Sequence, residues 1–310
     1  MLSILLAAYN GERYITGQIE SLLSQSFGDF KLYIRDDKST DGTYSIITGF
    51  ASENPEKIFA NQNEKNTGGT KNNFMKMMID HKDDYVMLCD QDDVWLPEKV
   101  EKSLKKIKEL EQEYGPETPV LVHTDLKVVI ENLDVISSSY EKMSNKDFSK
   151  TSLNFAVTMN NAAGCTIIYN RALGDLIRVV PDFLVMHDWW LVLIAAAFGK
   201  TGVVREPVVL YRQHGDNIKG AKKVLSPRYI LYVLKNLKTM AEMINESYKQ
   251  AGSFAKLYKD DLDEKESEIL NAYASIPGLS RIKKLRTVFK YKTFMHGVAR
   301  KAAQIMILLG

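Results

Sequence analysis

From Ser3 to Val122 short apolar runs alternate with segments whose apolar residues recur at helical spacing. Ser3 to Ala8 reads as a buried strand, and Ile15, Ile19, Leu22 and Leu23 then share one helix face. Phe30 to Ile34 is a second strand, and Thr43 to Phe50 begins a helix after the Asp41-Gly42 turn. A strand from Ile58 to Ala60, a helix from Asn72 to Ile79 and a strand from Tyr85 to Cys89 continue the series. Val100, Leu104, Ile107 and Leu110 mark another helix before the strand Val120 to Val122. Strands separated by helical segments of this length predict right-handed βαβ units, hence an α/β fold with a mainly parallel sheet flanked by helices.

Beyond this stretch the pattern is mixed. Val128 to Ile130 and Cys165 to Tyr169 read as strands, Asp188 to Phe198 as a buried helix, and Val208 to Arg212 as another strand. From Ser226 onward the periodicity is helical, with Pro227 at a first turn and Pro277-Gly278 breaking the run. The expected division is therefore a domain over 1–220, in halves 1–125 and 126–220, followed by a helical appendage over 221–310.

Composition narrows the class. Of 310 residues, 45% are hydrophobic and 26% charged, which suits a water-soluble globular protein. Cys89 and Cys165 lie in apolar surroundings without metal-ligand spacing, as expected of buried thiols in a reducing compartment. The opening Met1 to Leu6 lacks the basic flank of a signal peptide, and no apolar stretch is long enough to span a bilayer. A cytoplasmic location is expected. Charge is uneven: eight Lys or Arg and no acidic residue lie between Gly278 and Gly310, so with a total of +2 the preceding residues carry −6.

The most informative chemistry follows the fourth strand, where Asp90-Gln91-Asp92-Asp93 leads into Val94-Trp95-Leu96-Pro97. Three carboxylates at the end of a buried strand repel one another and resist desolvation. Mg²⁺ or Mn²⁺ with a bound diphosphate would relieve that repulsion, because these cations take oxygen ligands and share them with substrate phosphates. An acidic cap for the following helix is the alternative. Three more polar segments end or follow strands: Ala7-Ala8-Tyr9-Asn10-Gly11, Arg35-Asp36-Asp37 with Lys38 to Thr43, and Asn66-Thr67-Gly68-Gly69-Thr70-Lys71. A parallel sheet gathers such segments along one edge, where open α/β sheets bind ligands.

These segments, with His187-Asp188-Trp189-Trp190 and Tyr211-Arg212-Gln213-His214-Gly215-Asp216-Asn217, resemble the family 2 glycosyltransferases, over residues 1 to about 220. The Ile34-Arg35-Asp36-Asp37 and Tyr211 to Gly215 stretches look most like bacterial rhamnosyltransferases. The resemblance implies the GT-A fold, with a Rossmann-like sheet, and a nucleotide-activated sugar as donor. It places Ala7, Tyr9, Asp37, Lys71 and Asp90 at the nucleotide: Tyr9 against the pyrimidine, Asp37 accepting from its ring N–H, Lys71 beside the diphosphate and Asp90 at the ribose or a metal-bound water. It makes Asp92 the direct metal ligand and His214 a further metal or diphosphate contact. Asp93 is expected to cap the next helix. Asp188 is the expected general base, within aromatic surroundings that exclude water, although a helix N-cap is the plain alternative. Trp189, Trp190 and Gly164 fall on the acceptor side.

The implied activity is metal-dependent, inverting transfer of a sugar, L-rhamnose from dTDP-rhamnose first. The implied acceptor is a lipid-linked glycan of a bacterial surface polysaccharide. A UDP-hexose or UDP-N-acetylhexosamine donor is the runner-up. A non-catalytic sugar-nucleotide binding protein is the alternative outside enzymes. A dinucleotide oxidoreductase is disfavoured, since no G-x-G-x-x-G follows the first strand. The basic tail, with Leu279, Ile282, Leu285 and Phe289 at helical spacing, suits an interfacial helix on the anionic inner face of the cell membrane. Packing on the catalytic domain or on a second copy in a homodimer is the alternative, and no motif supports nucleic acid.

Overall fold

A computed structural model of the chain describes residues 1–213 and 236–310. Among these, 1–140, 162–180 and 199–213 form one compact unit, and 141–161, 181–198 and 236–310 another. The expected boundary near residue 220 falls outside the described residues.

The first unit is built on one mixed sheet. Its strands are β1 (Leu2–Ala8), β2 (Lys31–Asp36), β3 (Ile58–Gln62), β4 (Tyr85–Cys89), β5 (Val94–Trp95), β6 (Val120–Ile130), β7 (Val135–Ser137), β8 (Ile167–Asn170) and β9 (Lys200–Gln213). They are ordered β3-β2-β1-β4-β8-β6-β9-β5, with β7 beside β6. Every residue of β1 is buried, as both faces of a central parallel strand require. β1 pairs in parallel with β2 and β4, and β2 with β3, so Ala8, Asp36 and Gln62 end in register on one edge. Helices α1 (Ile15–Leu23), α2 (Thr43–Glu53), α3 (Thr70–Asp80) and α4 (Lys99–Tyr114) make the crossovers. α4 buries Val100, Leu104 and Ile107, the stripe that its sequence predicts, and also Lys99 and Ser103.

The sheet is less uniformly parallel than the alternation suggests. β8 lies antiparallel between β4 and β6, while β6 and β9 run parallel. The expected strands Val120–Val122 and Val128–Ile130 are one eleven-residue strand. Its middle, His123-Thr124-Asp125, is polar yet buried, and Asp125 accepts from Ser139 Oγ at 2.5 Å and the Tyr140 N–H at 3.0 Å. The Asp125 carboxylate is thus satisfied locally, whereas Thr124 Oγ1 is buried without a hydrogen-bond partner, and this polar centre breaks the apolar signal without breaking the strand. Similarly, Gly164–Thr166 is a 3₁₀ turn, and the strand expected from Cys165 begins only at Ile167.

Short helices α5 (Tyr140–Ser144), α6 (Leu153–Ala156) and α7 (Arg171–Gly174) connect the strands. In the second unit, α8 (His187–Phe198) precedes α9 (Leu237–Leu257), α10 (Glu264–Ser275), α11 (Arg281–Tyr291) and α12 (Val298–Leu309). α8 is buried along most of its length, with Trp190 packed 5.1 Å from the Phe254 ring on α9.

Candidate active site

At the carboxyl end of β1 the chain turns through Asn10, which takes a left-handed φ of 46°, a conformation that Asn tolerates better than most residues. Side chains hold this turn. Asn10 donates its N–H to Ser39 Oγ at 2.9 Å, and its Oδ1 accepts the Thr40 N–H at 2.9 Å. The Gly11 N–H donates to Thr43 Oγ1 at 2.8 Å. Tyr9 is thereby displayed with 45% of its surface exposed, whereas Ala7 is almost buried at 7%.

The two carboxylates after β2 are both buried and differ in their partners. Asp36 accepts from the Ser39 N–H at 2.9 Å, from Gln62 Nε2 at 2.8 Å and from the Ser39 hydroxyl, so it builds its own turn. Asp37, 2% exposed, organises the following loop instead: it accepts from Asn63 Nδ2 at 2.7 Å, the Thr67 N–H at 2.9 Å and Thr67 Oγ1 at 2.7 Å. That loop carries Gly68 and Gly69, at φ 86° and 123°, directly into α3. Only glycine takes such angles cheaply. Lys71 lies in the first turn of α3, where the helix dipole favours anions.

After β4, Asp90 and Asp92 are half-buried, while Asp93 is fully enclosed. Here the structure corrects an expectation: Asp93 is not the helix cap, because Val94–Trp95 forms β5 and α4 begins only after Glu98. Asp93 faces inward and accepts the Arg212 N–H at 3.1 Å. Burial first, then the Asp92 and Asp90 charges, push its carboxyl well above the usual carboxylate range. Burial likewise raises the Cys165 thiol. Oxygens of Asp90 and Asp93 and the sulfur of Cys165 lie within 4.8 Å of one another, and Asp93 Oδ2 has no hydrogen-bond partner. The carboxylate oxygens of Asp90 and Asp93 are donors that a hard divalent cation such as Mg²⁺ or Mn²⁺ could take, the Cys165 sulfur suits it poorly, and Asp92, the expected direct ligand, is not among the gathered groups.

Two residues, one beneath this cluster and one within it, escape sequence reading. Lys99 is completely buried and donates to the Cys165 carbonyl at 2.7 Å; burial lowers its pKa to about 7. The available signal is its place on the α4 stripe with Ser103 and Ile107. The other is Gln91, whose side-chain amide binds both backbone groups of Tyr9.

Asp188 lies in the first turn of α8 in the second unit, and its Oδ1 accepts the Trp189 N–H at 2.7 Å. Trp189 and Trp190 are buried. Trp189 Nε1 donates to the Ala156 carbonyl at 2.6 Å, and Trp190 packs on Phe254 and Tyr258. Neither indole is displayed to solvent, and both anchor the helix that carries Asp188. Gly164 is buried in the first unit, in the turn before β8. His214 and Asn217 lie outside the described residues.

The profile of glycosyl transferase family 2 matches residues 3–116. A Shigella flexneri protein named dTDP-rhamnosyl transferase RfbG is 27% identical over 236 residues, covering 72% of this chain and 76% of its own length. An Escherichia coli UDP-Glc:α-D-GlcNAc-diphosphoundecaprenol β-1,3-glucosyltransferase, WfgD, is 30% identical over 101 residues, 33% of this chain and 38% of its own. The crystal structure of S. aureus TarS superposes with a TM-score of 0.58 at 18% identity, over 93% of this chain and 72% of that one. The matched profile spans β1 to α4, the stretch that builds the Tyr9, Asp37 and Asp90–Asp93 edge. Residues 3–116 therefore match a family 2 glycosyltransferase domain, and the fold is that of the GT-A glycosyltransferases.

Proposed function

We propose that the protein moves a sugar, L-rhamnose from dTDP-rhamnose first, to a hydroxyl of a lipid-linked saccharide with inversion. The observation that carries this reading is the gathering of exposed Tyr9, buried Asp37 and the Asp90–Asp92 pair at the carboxyl ends of β1, β2 and β4. Tyr9 offers a face for a pyrimidine. Asp37, already fixed by Asn63 and Thr67, offers an acceptor for a base N–H. Lys71 at the α3 N-terminus suits a diphosphate. Mg²⁺ or Mn²⁺ held by Asp92, with Asp90 at the ribose or a metal-bound water, would neutralise charge developing on the departing diphosphate. Asp188 takes the acceptor's proton as its oxygen bonds to the anomeric carbon, on the face opposite the breaking bond to the diphosphate.

The similarity to a named dTDP-rhamnosyl transferase favours rhamnose. A UDP-hexose or UDP-N-acetylhexosamine is the second reading, favoured by similarity over 101 residues to a UDP-glucose enzyme. A thermal-shift and nucleotide-release screen of dTDP- and UDP-sugars with Mg²⁺ or Mn²⁺ separates them, since a ligand that binds only the folded state stabilises it. Stabilisation without nucleotide release across all donors and acceptors tried would leave a binding protein. No stabilisation at all would sink both donor readings.

An anionic membrane surface is the proposed partner of the tail. Ile282 and Phe289 are 65% and 61% exposed on α11 and are flanked by exposed Lys283, Arg286 and Lys290. No helix among the described residues is long and apolar enough to cross a membrane, so attachment would be peripheral.

A further inference from the structure

The ladder between β1 and β4 ends at the pair Leu6–Cys89, after which the two chains diverge. Gln91 closes the gap with its side chain. Its Oε1 accepts the Tyr9 N–H at 2.8 Å, and its Nε2 donates to the Tyr9 carbonyl at 2.9 Å. One amide thus stands in for the next residue of a missing strand. The fit depends on Gly11, where an added Cβ would fall 2.3 Å from Gln91 Oε1 and 2.8 Å from Nε2. Gln91 also sits between Asp90 and Asp92, so the same residue belongs to the acidic loop and grips the backbone of the displayed aromatic.

From this geometry we infer that Gln91 is a positioning residue that fixes the Tyr9 ring relative to the Asp90–Asp92 pair and so sets the spacing between base and diphosphate. The inference rests on the sugar-nucleotide reading above. The base and diphosphate of one ligand are covalently joined and must be met together, so holding one contact in place removes an ordering cost from binding. Gln91 touches neither end itself. It acts through the backbone of Tyr9.

The test is a pair of mutant cycles, read by calorimetric binding of UDP and dTDP with Mn²⁺. Gln91→Ala should weaken nucleotide affinity about tenfold, the scale of one or two net hydrogen bonds. Gly11→Ala should do the same by expelling the Gln91 amide. The double variant should be no worse than Gln91→Ala, because removing the amide makes room for the Cβ. In a Tyr9→Ala background, Gln91→Ala should cost little more. Full additivity in either cycle, or wild-type affinity in Gln91→Ala, overturns the inference while leaving the sugar-nucleotide reading intact. Failure of the wild-type protein itself to bind any nucleoside diphosphate overturns that reading, and the inference with it.

Discussion

Arg212 Nε donates to the backbone carbonyl of Asp92 at 2.9 Å, across 120 residues of chain. Its own N–H reaches Asp93, its Nη1 donates to the Glu131 carbonyl, and its guanidinium lies 5.1 Å from the Tyr14 ring centroid. The planar fork holds two backbone carbonyls at once and pins the acidic loop to the end of β9.

Arg212→Lys keeps the charge and loses that fork, so it should not substitute. We expect a stability loss of about 1–3 kcal/mol from the orphaned carbonyls, together with weaker Mn²⁺ binding. Urea midpoints and a metal titration check both. Wild-type values would show that β9 leaves the loop unbraced.

Asp92→Asn should weaken donor binding in Mn²⁺ and nearly abolish turnover while the fold survives, since one of three crowded charges is removed. Activity that persists in excess EDTA would sink the metal assignment itself.

Asp188→Asn preserves size and can still accept the Trp189 N–H, yet cannot take a proton. Donor affinity should hold while kcat drops about 10²- to 10⁴-fold. Retained turnover would leave Asp188 as a helix-start residue only.

Two buried histidines of the second unit give its stability a pH dependence. Burial pushes His187 and His296 down to about 4. Between about 4 and 6.5 the unfolded chain binds protons that the folded chain does not, so stability is lost as pH falls through that window and levels off above it. Melting temperatures from pH 4.5 to 7.5 should show this acid limb, shallower in His187→Leu; an unchanged slope in that variant would mean the imidazole titrates normally.

Truncation is the wrong test of the tail, because α11 and α12 bury Val288, Ala303, Gln304 and Leu308, and Arg300 donates to the Ser144 carbonyl at 2.9 Å. Surface changes avoid that problem. Ile282→Ser with Phe289→Ser, or Lys283→Glu with Arg286→Glu, should release the protein from anionic vesicles at unchanged melting temperature. Each Lys or Arg near such a surface is worth about 1 kcal/mol. Binding insensitive to both pairs and to salt would rule the membrane role out.

The strand–helix alternation of β1 to α4 was legible because each buried strand is continuously apolar and each helix carries one stripe. Beyond it the signal faded for physical reasons. β6 is buried through a polar centre in which Ser139 and Tyr140 satisfy Asp125, and β5 is two residues long, below any periodicity. The roles proposed for Tyr9, Asp37 and Asp92 rest on motif resemblance. Asp93 and Lys99 were misread or missed because interior charges look like surface charges until their partners are known. The Gln91 grip on Tyr9 depends on tertiary closeness across 82 residues, which no local pattern encodes.

Past the last backbone bonds, from the Asp37 N–H to the Ala8 carbonyl and from the Asn63 N–H to the Asp36 carbonyl, the turns after β1 and β2 are tied down by side chains: Asn10, Ser39 and Thr43 hold one, and Asp37, Asn63 and Thr67 hold the other. The scaffold and its rim are therefore separately editable. A tether such as Ser39 or Thr67 can be replaced without disturbing a single strand pair, so the rim can be reshaped for a different ligand while β1, β2 and β4 stay in register. Libraries aimed at altering donor choice belong at those tether positions, with the strands left untouched.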